Sequence, residues 1–270
     1  MLLSLASITL YLFLAVFLGI RLLRSDPAKE ERFSLILMGA TALGAVLHGA
    51  VLYRAIPMAA GFDLGIANVL SLVSWGIVLV LLFGALARPL MNVGVLVFPL
   101  AAAALTLALF FPGRTVAPEQ LPPGVEVHVI LSVLAASVLT IAALQSVFLA
   151  FQERSLRRKR PGRIPHLLPP LQIQESIFFQ LIGGGFFLLS LSLASGMAFI
   201  EDMFAQHLAH KTILSVSAWT VFAILLWGRW RFGWRGRRAV RWSLAGFVVL
   251  MLAYFGSKWV LEGILGRTWY

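Results

Sequence analysis

The chain has 270 residues, of which 60% are hydrophobic and 12% charged, with a formal net charge of +11 and no cysteine. An ordinary soluble domain is roughly 25% charged, so the composition excludes that class and points to a membrane protein. The missing cysteine excludes disulfide, thiol-exchange and thiolate-ligand chemistry for this chain, and a nucleic-acid reading of the charge would need a soluble basic domain for which no room is left.

Apolar runs fill almost the whole sequence. In chain order they are Leu2–Leu23, Phe33–Leu52, Ile66–Leu86, Val93–Phe111, His128–Phe151, Ile177–Ile200, Thr212–Trp230 and Trp242–Val260. Each approaches the roughly 20 residues that a helix needs to cross the hydrocarbon core. There, backbone N–H and C=O groups must pair within the protein, so the runs predict helices rather than open strands. The expectation is an all-α, polytopic membrane bundle of about eight helices, forming one domain over residues 1–270. The longest connections, 152–176 and 112–127, are charged or Pro-rich and too short to bury a core of their own.

The charges sort by loop. Segments 24–32, 87–92, 152–176 and 229–241, with Arg21, hold most of the 22 Lys and Arg. The opposite side holds Arg54, Arg114, Lys211, Lys258 and Arg267. Short basic loops stay cytoplasmic, which predicts both termini on the non-cytoplasmic side. The first run has no basic residue before it and Arg21 and Arg24 directly after it, the wrong flanks for a cleavable signal peptide. A bacterial inner membrane is the expected location, with lipid as a partner.

Within the helices, ionisable groups mark function by default, because they are costly in hydrocarbon. His48 falls about one turn before the outer end of the second helix, and His128 at the outer start of the fifth. Two neutral imidazoles at similar depth could ligate a metal such as haem iron. The plainer alternative makes each a boundary histidine bonded to a neighbour. Ala40, Gly44 and His48 share a helical face, as do His128, Ser132 and Ala135. Asn68, Ser71 and Trp75 share one on the third helix, and Lys211, Ser215 and Trp219 one on the seventh. Small, polar and aromatic residues on these faces suit helix packing or a flat ligand. Together they suggest one outer pocket, where Lys211 pairs with a propionate or a headgroup phosphate, or simply snorkels. His207 and His210 form a weak His-x-x-His pair in an outer loop, and His166 reads as a loop residue. Gly183, Gly184 and Gly185 suggest a tight helix crossing. Phe98, Phe110, Phe111, Phe178, Phe179, Phe186, Phe187, Trp230 and Trp234 read mostly as lipid-facing bulk or interface anchors. All carboxylates fall in loops or at helix ends, against a proton-coupled transporter, and no nucleophile elbow supports a hydrolase. No catalytic residue is assigned.

Several stretches carry a resemblance. They are Ser71-Leu-Val-Ser-Trp75, His128 with Gln145, Leu168-Pro-Pro-Leu171 with Glu175, Lys211-Thr-Ile-Leu-Ser-Val-Ser-Ala-Trp219, Gly233-Trp-Arg-Gly-Arg-Arg238 and Ala253-Tyr-Phe-Gly-Ser257. On these residues the chain resembles the cytochrome c assembly protein family, integral membrane haem-handling proteins, over essentially its full length. It looks closest to the short HemX-like and YpjD-like branch with eight helices. The resemblance implies haem as cofactor, with His48 and His128 in the positions of the branch's helix histidines. Ser71, Trp75, Lys211 and Trp219 would then stand around the ligand. It also implies other cytochrome c maturation proteins or an apocytochrome as partners. The tryptophan-rich outer segment of the larger family, of the Trp-Gly-x-x-Trp-x-Trp-Asp type, is absent here. Together these features lead to a haem carrier or chaperone acting at the outer face through histidine ligation. Neutral imidazole is required, so binding should weaken as pH falls. The competing reading is a regulatory or scaffold membrane subunit without cofactor, docking a partner or anionic lipid through Arg154–Arg163 and Arg229–Arg241.

Overall fold

The computed structural model describes residues 1–24, 30–58, 61–63, 65–111, 115–116, 124–157, 169–199 and 206–256. Among the described residues the regular structure is helical apart from three strands of two or three residues. The helices are α1 (Leu2–Arg24), α2 (Glu30–Ala55), α3 (Ile66–Ala87), α4 (Gly94–Phe110), α5 (Val125–Arg157), α6 (Leu171–Phe199), α7 (Gln206–Phe232) and α8 (Gly236–Met251), the last extended by a π-turn over Leu252–Gly256. Eight candidate spans of 20 to 31 residues are long and apolar enough to cross a membrane. The all-α polytopic expectation therefore holds.

Several helices run past the apolar runs that mark them in the sequence. Helix α6 starts at Leu171 rather than Ile177, and α8 at Gly236 rather than Trp242. The i→i−4 ladder needs no apolar side chain. Long polar and basic side chains can continue the helix into the headgroup layer while keeping their tips in water.

The chain divides into two compact units: Met1–Thr115 with Phe151–Gln174, and Val116–Ala150 with Glu175–Tyr270. In the first unit α1 packs on α2 and α4, and α3 packs on α2 and α4, so the four helices close on one another. Tyr11, Leu14, Leu37, Val78, Leu81, Val97, Phe98 and Ala101 form the core. The α2–α3 connection is a short antiparallel pair, β1 (Pro57–Met58) and β2 (Gly61–Asp63). Buried Asp63 ends it by accepting a 2.9 Å bond from the Gly65 backbone N–H at the start of α3.

In the second unit α7 packs on α8, and the π-turn packs on both. Helix α6 is set close to α5 by Gly185, where a Cβ would lie 2.6 Å from Leu139. Gly183 and Gly184 face open space, so of the three consecutive glycines only Gly185 makes the predicted close crossing.

Large apolar side chains such as Leu35, Val46, Phe83, Phe110, Phe111, Phe187 and Trp230 are exposed, as suits a surface solvated by lipid. Phe98 and Phe178 are instead fully buried, which corrects the expectation of lipid-facing bulk. Phe98 stacks on Tyr11 with ring centroids 6.0 Å apart. In an all-apolar helix the pattern carries no phase, so the sequence alone does not tell which side faces lipid.

The glycines give opposite expectations. Gly185→Ala drives a methyl into the buried Leu139 and should cost about 1–3 kcal/mol, less a helix-propensity gain of up to about 1 kcal/mol. Gly183→Ala meets nothing and should be neutral or stabilising. Thermal unfolding of detergent-purified variants checks both signs.

Candidate functional site

The six residues assigned from sequence divide between the two units, His48, Ser71 and Trp75 in the first and His128, Lys211 and Trp219 in the second. In the first unit His48 is fully buried. Its Nε2 lies 3.0 Å from Ser71 Oγ and its Nδ1 3.3 Å from the Tyr11 hydroxyl. The Tyr11 ring also meets the imidazole edge-on, at 5.8 Å between centroids. Trp75 Nε1 donates a 2.7 Å bond to the Ala45 carbonyl of α2.

The small residues of α2 explain how these rings fit. A Cβ on Gly44 would sit 2.9 Å from the Tyr11 ring, and one on Gly49 3.2 Å from Trp75. The face bearing Gly44 and His48 thus admits an aromatic side chain of the same unit. Both imidazole nitrogens are engaged, whichever tautomer is present.

In the second unit His128, at the start of α5, is half-buried. Its Nδ1 lies 2.9 Å from the Ser192 carbonyl and 3.2 Å from Ser195 Oγ. A carbonyl only accepts, so Nδ1 carries the proton and Nε2 keeps its lone pair. Nε2 lies a long 3.4 Å from Ser132 Oγ, and that hydroxyl has a shorter partner, Ser192 Oγ at 2.7 Å. A carbonyl accepting from Nδ1–H is the usual way in which a protein orients an imidazole for metal binding through Nε2.

The cavity beside His128 measures about 60 Å³ and is lined by His128, Ser132, Leu189, Ser192, Leu193, Gly196, Lys211, Thr212, Ser215 and Tyr254. Lys211 and Ser215, predicted on one face of α7, both reach it. Trp219 of the same face does not line it. Its Nε1 donates a 2.8 Å bond to Ser190 Oγ, and its ring stacks on Phe186 at 5.3 Å. Tyr254, on the π-turn, donates a 3.0 Å bond to the Ser132 carbonyl.

Tyr11, Ser192 and Ser195 were not singled out from sequence. Tyr11 is the one tyrosine in the first apolar run, and Ser192 and Ser195 are spaced for a common face of α6. These were the available signals. His210 is exposed, whereas His166 and the His207 side chain lie outside the described residues. Among the described residues no group of three or more His, Asp or Glu could hold a metal ion.

At the basic end of the second unit, Glu175 receives Arg235 through Nε at 2.8 Å and Nη2 at 2.5 Å. Arg229 Nη1 lies 3.6 Å from the same carboxylate. The hydrogen bond to Glu175, followed by its charge, pushes the Arg235 guanidinium above its ordinary range.

A model of the cytochrome C assembly protein family matches residues 35–265. The inner membrane protein YpjD of Escherichia coli K12 is 36% identical over 202 residues, 75% of this chain and 76% of that protein. An uncharacterized 28.8 kDa protein of Azospirillum brasilense is 38% identical over 148 residues, 53% of this chain and 55% of that one. The cytochrome c biogenesis protein CcsA of Trichormus variabilis is 28% identical over 108 residues, 39% of this chain and 31% of its own length. No solved structure matches the chain.

Tyr11→Phe should leave His48 Nδ1 buried without its partner and cost about 1 kcal/mol. His48→Ala, which also opens a void, should cost about 2–4 kcal/mol. Thermal unfolding in detergent reads both, and an unchanged midpoint for His48→Ala would deny that cluster a packing role.

Proposed function

The chain belongs to the cytochrome c assembly protein family, and on that premise we propose that it is a haem carrier or chaperone in which His128 would hold the haem iron. The observation that carries this reading is the fixed tautomer of His128, which lines the cavity with Nδ1–H held by the Ser192 carbonyl and Nε2 at a long 3.4 Å from Ser132 Oγ. Haem would supply its own four nitrogen donors and a metal that binds neutral imidazole. Lys211, on the cavity wall, suits a propionate.

The size of the site limits the pose. Ligand pockets typically measure about 300–1,000 Å³, whereas this cavity is about 60 Å³. A cavity of that size would not enclose a porphyrin, which suits handing haem on rather than sealing it in, and His128 and Lys211 would be the residues that hold it.

His48 takes a different part in this reading. With Tyr11 and Ser71 on its two nitrogens and no exposed surface, it would have to give up a buried hydrogen bond before it could bind iron. It therefore positions α1, α2 and α3, and Ser71 and Trp75 serve that packing. The basic loops face the cytoplasm, both termini face outward, and haem is held near the outer face of a bacterial inner membrane for other maturation proteins or an apocytochrome.

Visible spectroscopy of the purified protein titrated with haem tests this directly. Wild type should develop a sharp Soret band that His128→Ala removes or shifts. His48→Ala should retain it in whatever protein survives purification, and Lys211→Gln should weaken haem affinity several-fold. Protonating the imidazole removes its lone pair, so the band should fade as the solution is made acidic. A band lost in His48→Ala but intact in His128→Ala would refute the assignment.

A further inference from the structure

The second unit has another cavity, at the opposite, basic end of its helices. It measures about 370 Å³ and is lined by Arg237, Arg238, Arg241 and Trp242. We propose that it is a binding site for the phosphate headgroup of an anionic phospholipid.

The Gly-Trp-Arg-Gly-Arg-Arg run builds it. Helix α7 ends on Gly233 at φ 63°, whose N–H bonds the Arg229 carbonyl at 3.1 Å, a left-handed cap that favours glycine. Gly236 opens α8 at φ 53°, a second position that excludes most side chains. Between them Trp234 folds back over Gly228, where even a Cβ would come within 2.4 Å of the indole. The Trp234 ring then packs 5.6 Å from Trp242, and the Arg238 guanidinium lies 5.4 Å from its centroid. The wall of the cavity is thus fixed by backbone and ring packing.

The arginines of this turn divide into two sets. Arg229 and Arg235 share the Glu175 carboxylate, and Arg229 also lies 4.6 Å over the Phe179 ring. Among the described residues Arg237 and Arg241 have no hydrogen bond or ion pair, and Arg238 has only its contact with Trp234. Among the described residues no acid lines the cavity. Three guanidiniums around one space offer forked donors whose geometry matches phosphate oxygens.

Position selects a lipid as the source of that phosphate. A candidate membrane span begins at Gly236, so the cavity lies at headgroup level, and Trp242 gives it the amphipathic wall typical of the interface. Arginine beside an anionic leaflet contributes attraction of the order that draws basic segments to such lipids.

Native mass spectrometry of the delipidated full-length protein, titrated with phosphatidylglycerol, phosphatidylcholine or inorganic phosphate, tests the site. Wild type should hold phosphatidylglycerol in preference to phosphatidylcholine. Arg237→Gln/Arg241→Gln should weaken it by roughly 20- to 30-fold, at about five-fold per arginine. Arg154→Gln/Arg231→Gln, which removes the same charge from exposed positions outside the cavity, should change it less than about two-fold. Arg241→Gln alone, expected to lose about five-fold, keeps the test open where the double variant does not purify. Equal losses in both double variants would show diffuse surface attraction instead of a site. Displacement of the lipid by inorganic phosphate alone, or unchanged affinity in Arg241→Gln, would also overturn it.

Discussion

The controlling constraint is that a polar side chain within a span must find its partner inside the protein. Most of the described polar side chains meet it in one of two ways, the buried Ser243 hydroxyl being an exception. Many hydroxyls bond back to a carbonyl of their own helix, as Ser7 does to Leu3, Thr41 to Leu37, Ser137 to Val133, Thr140 to Ala136 and Thr220 to Val216. These bonds are local and could form in an isolated helix. A smaller set joins different helices: Tyr11 and Ser71 to His48, Trp75 to Ala45, Ser132 to Ser192, Trp219 to Ser190 and Tyr254 to Ser132. Lipid tails offer apolar side chains an environment much like a neighbouring helix, so apolar burial discriminates weakly between packing arrangements. The interhelical bonds, with the glycine notches that let rings approach, are what specify which faces meet.

The two histidines illustrate how much a partner's chemistry decides. A hydroxyl can donate or accept, so Tyr11 and Ser71 satisfy His48 in either tautomer. A carbonyl can only accept, so Ser192 leaves His128 one tautomer and one free direction. Identical residue types at similar predicted depth thus acquire different chemistry from the atoms opposite them. Nothing in the sequence around His48 or His128 carries that difference, because the deciding atoms lie on other helices, as far away as residues 11 and 192.

That is also the boundary of what could be read in advance. The number of spans was legible, since length and hydropathy answer to bilayer thickness alone. Helix ends were less legible, because α6 and α8 continue through Gln174, Glu175, Arg237 and Arg238 where hydropathy counting stops. Polar residues on the faces of α5 and α7 gave the sequence reading a phase to work from, and Ser132, His128, Lys211 and Ser215 line one cavity while Trp219 does not. Phe98 and Phe178 had no such phase, since nothing in an apolar run distinguishes a lipid-facing phenylalanine from a buried one. The depth-based pairing of His48 with His128 drew on the same information and carried no knowledge of Tyr11 or Ser192.

The π-turn ties the cavity at His128 to the last helix. Continuing α8 as a regular α-helix through Leu252–Gly256 would leave every side chain at its ordinary angular step. The wider turn accommodates an extra residue and changes the direction in which Tyr254 leaves the helix. In that position its hydroxyl reaches the Ser132 carbonyl on α5, and the ring forms part of the wall facing His128. One helix thus supplies a polar wall at one end and, through Arg237, Arg238 and Arg241, a cationic wall at the other. The π-turn and the paired positive-φ glycines of the α7–α8 connection mark the two departures from regular helix that make those walls.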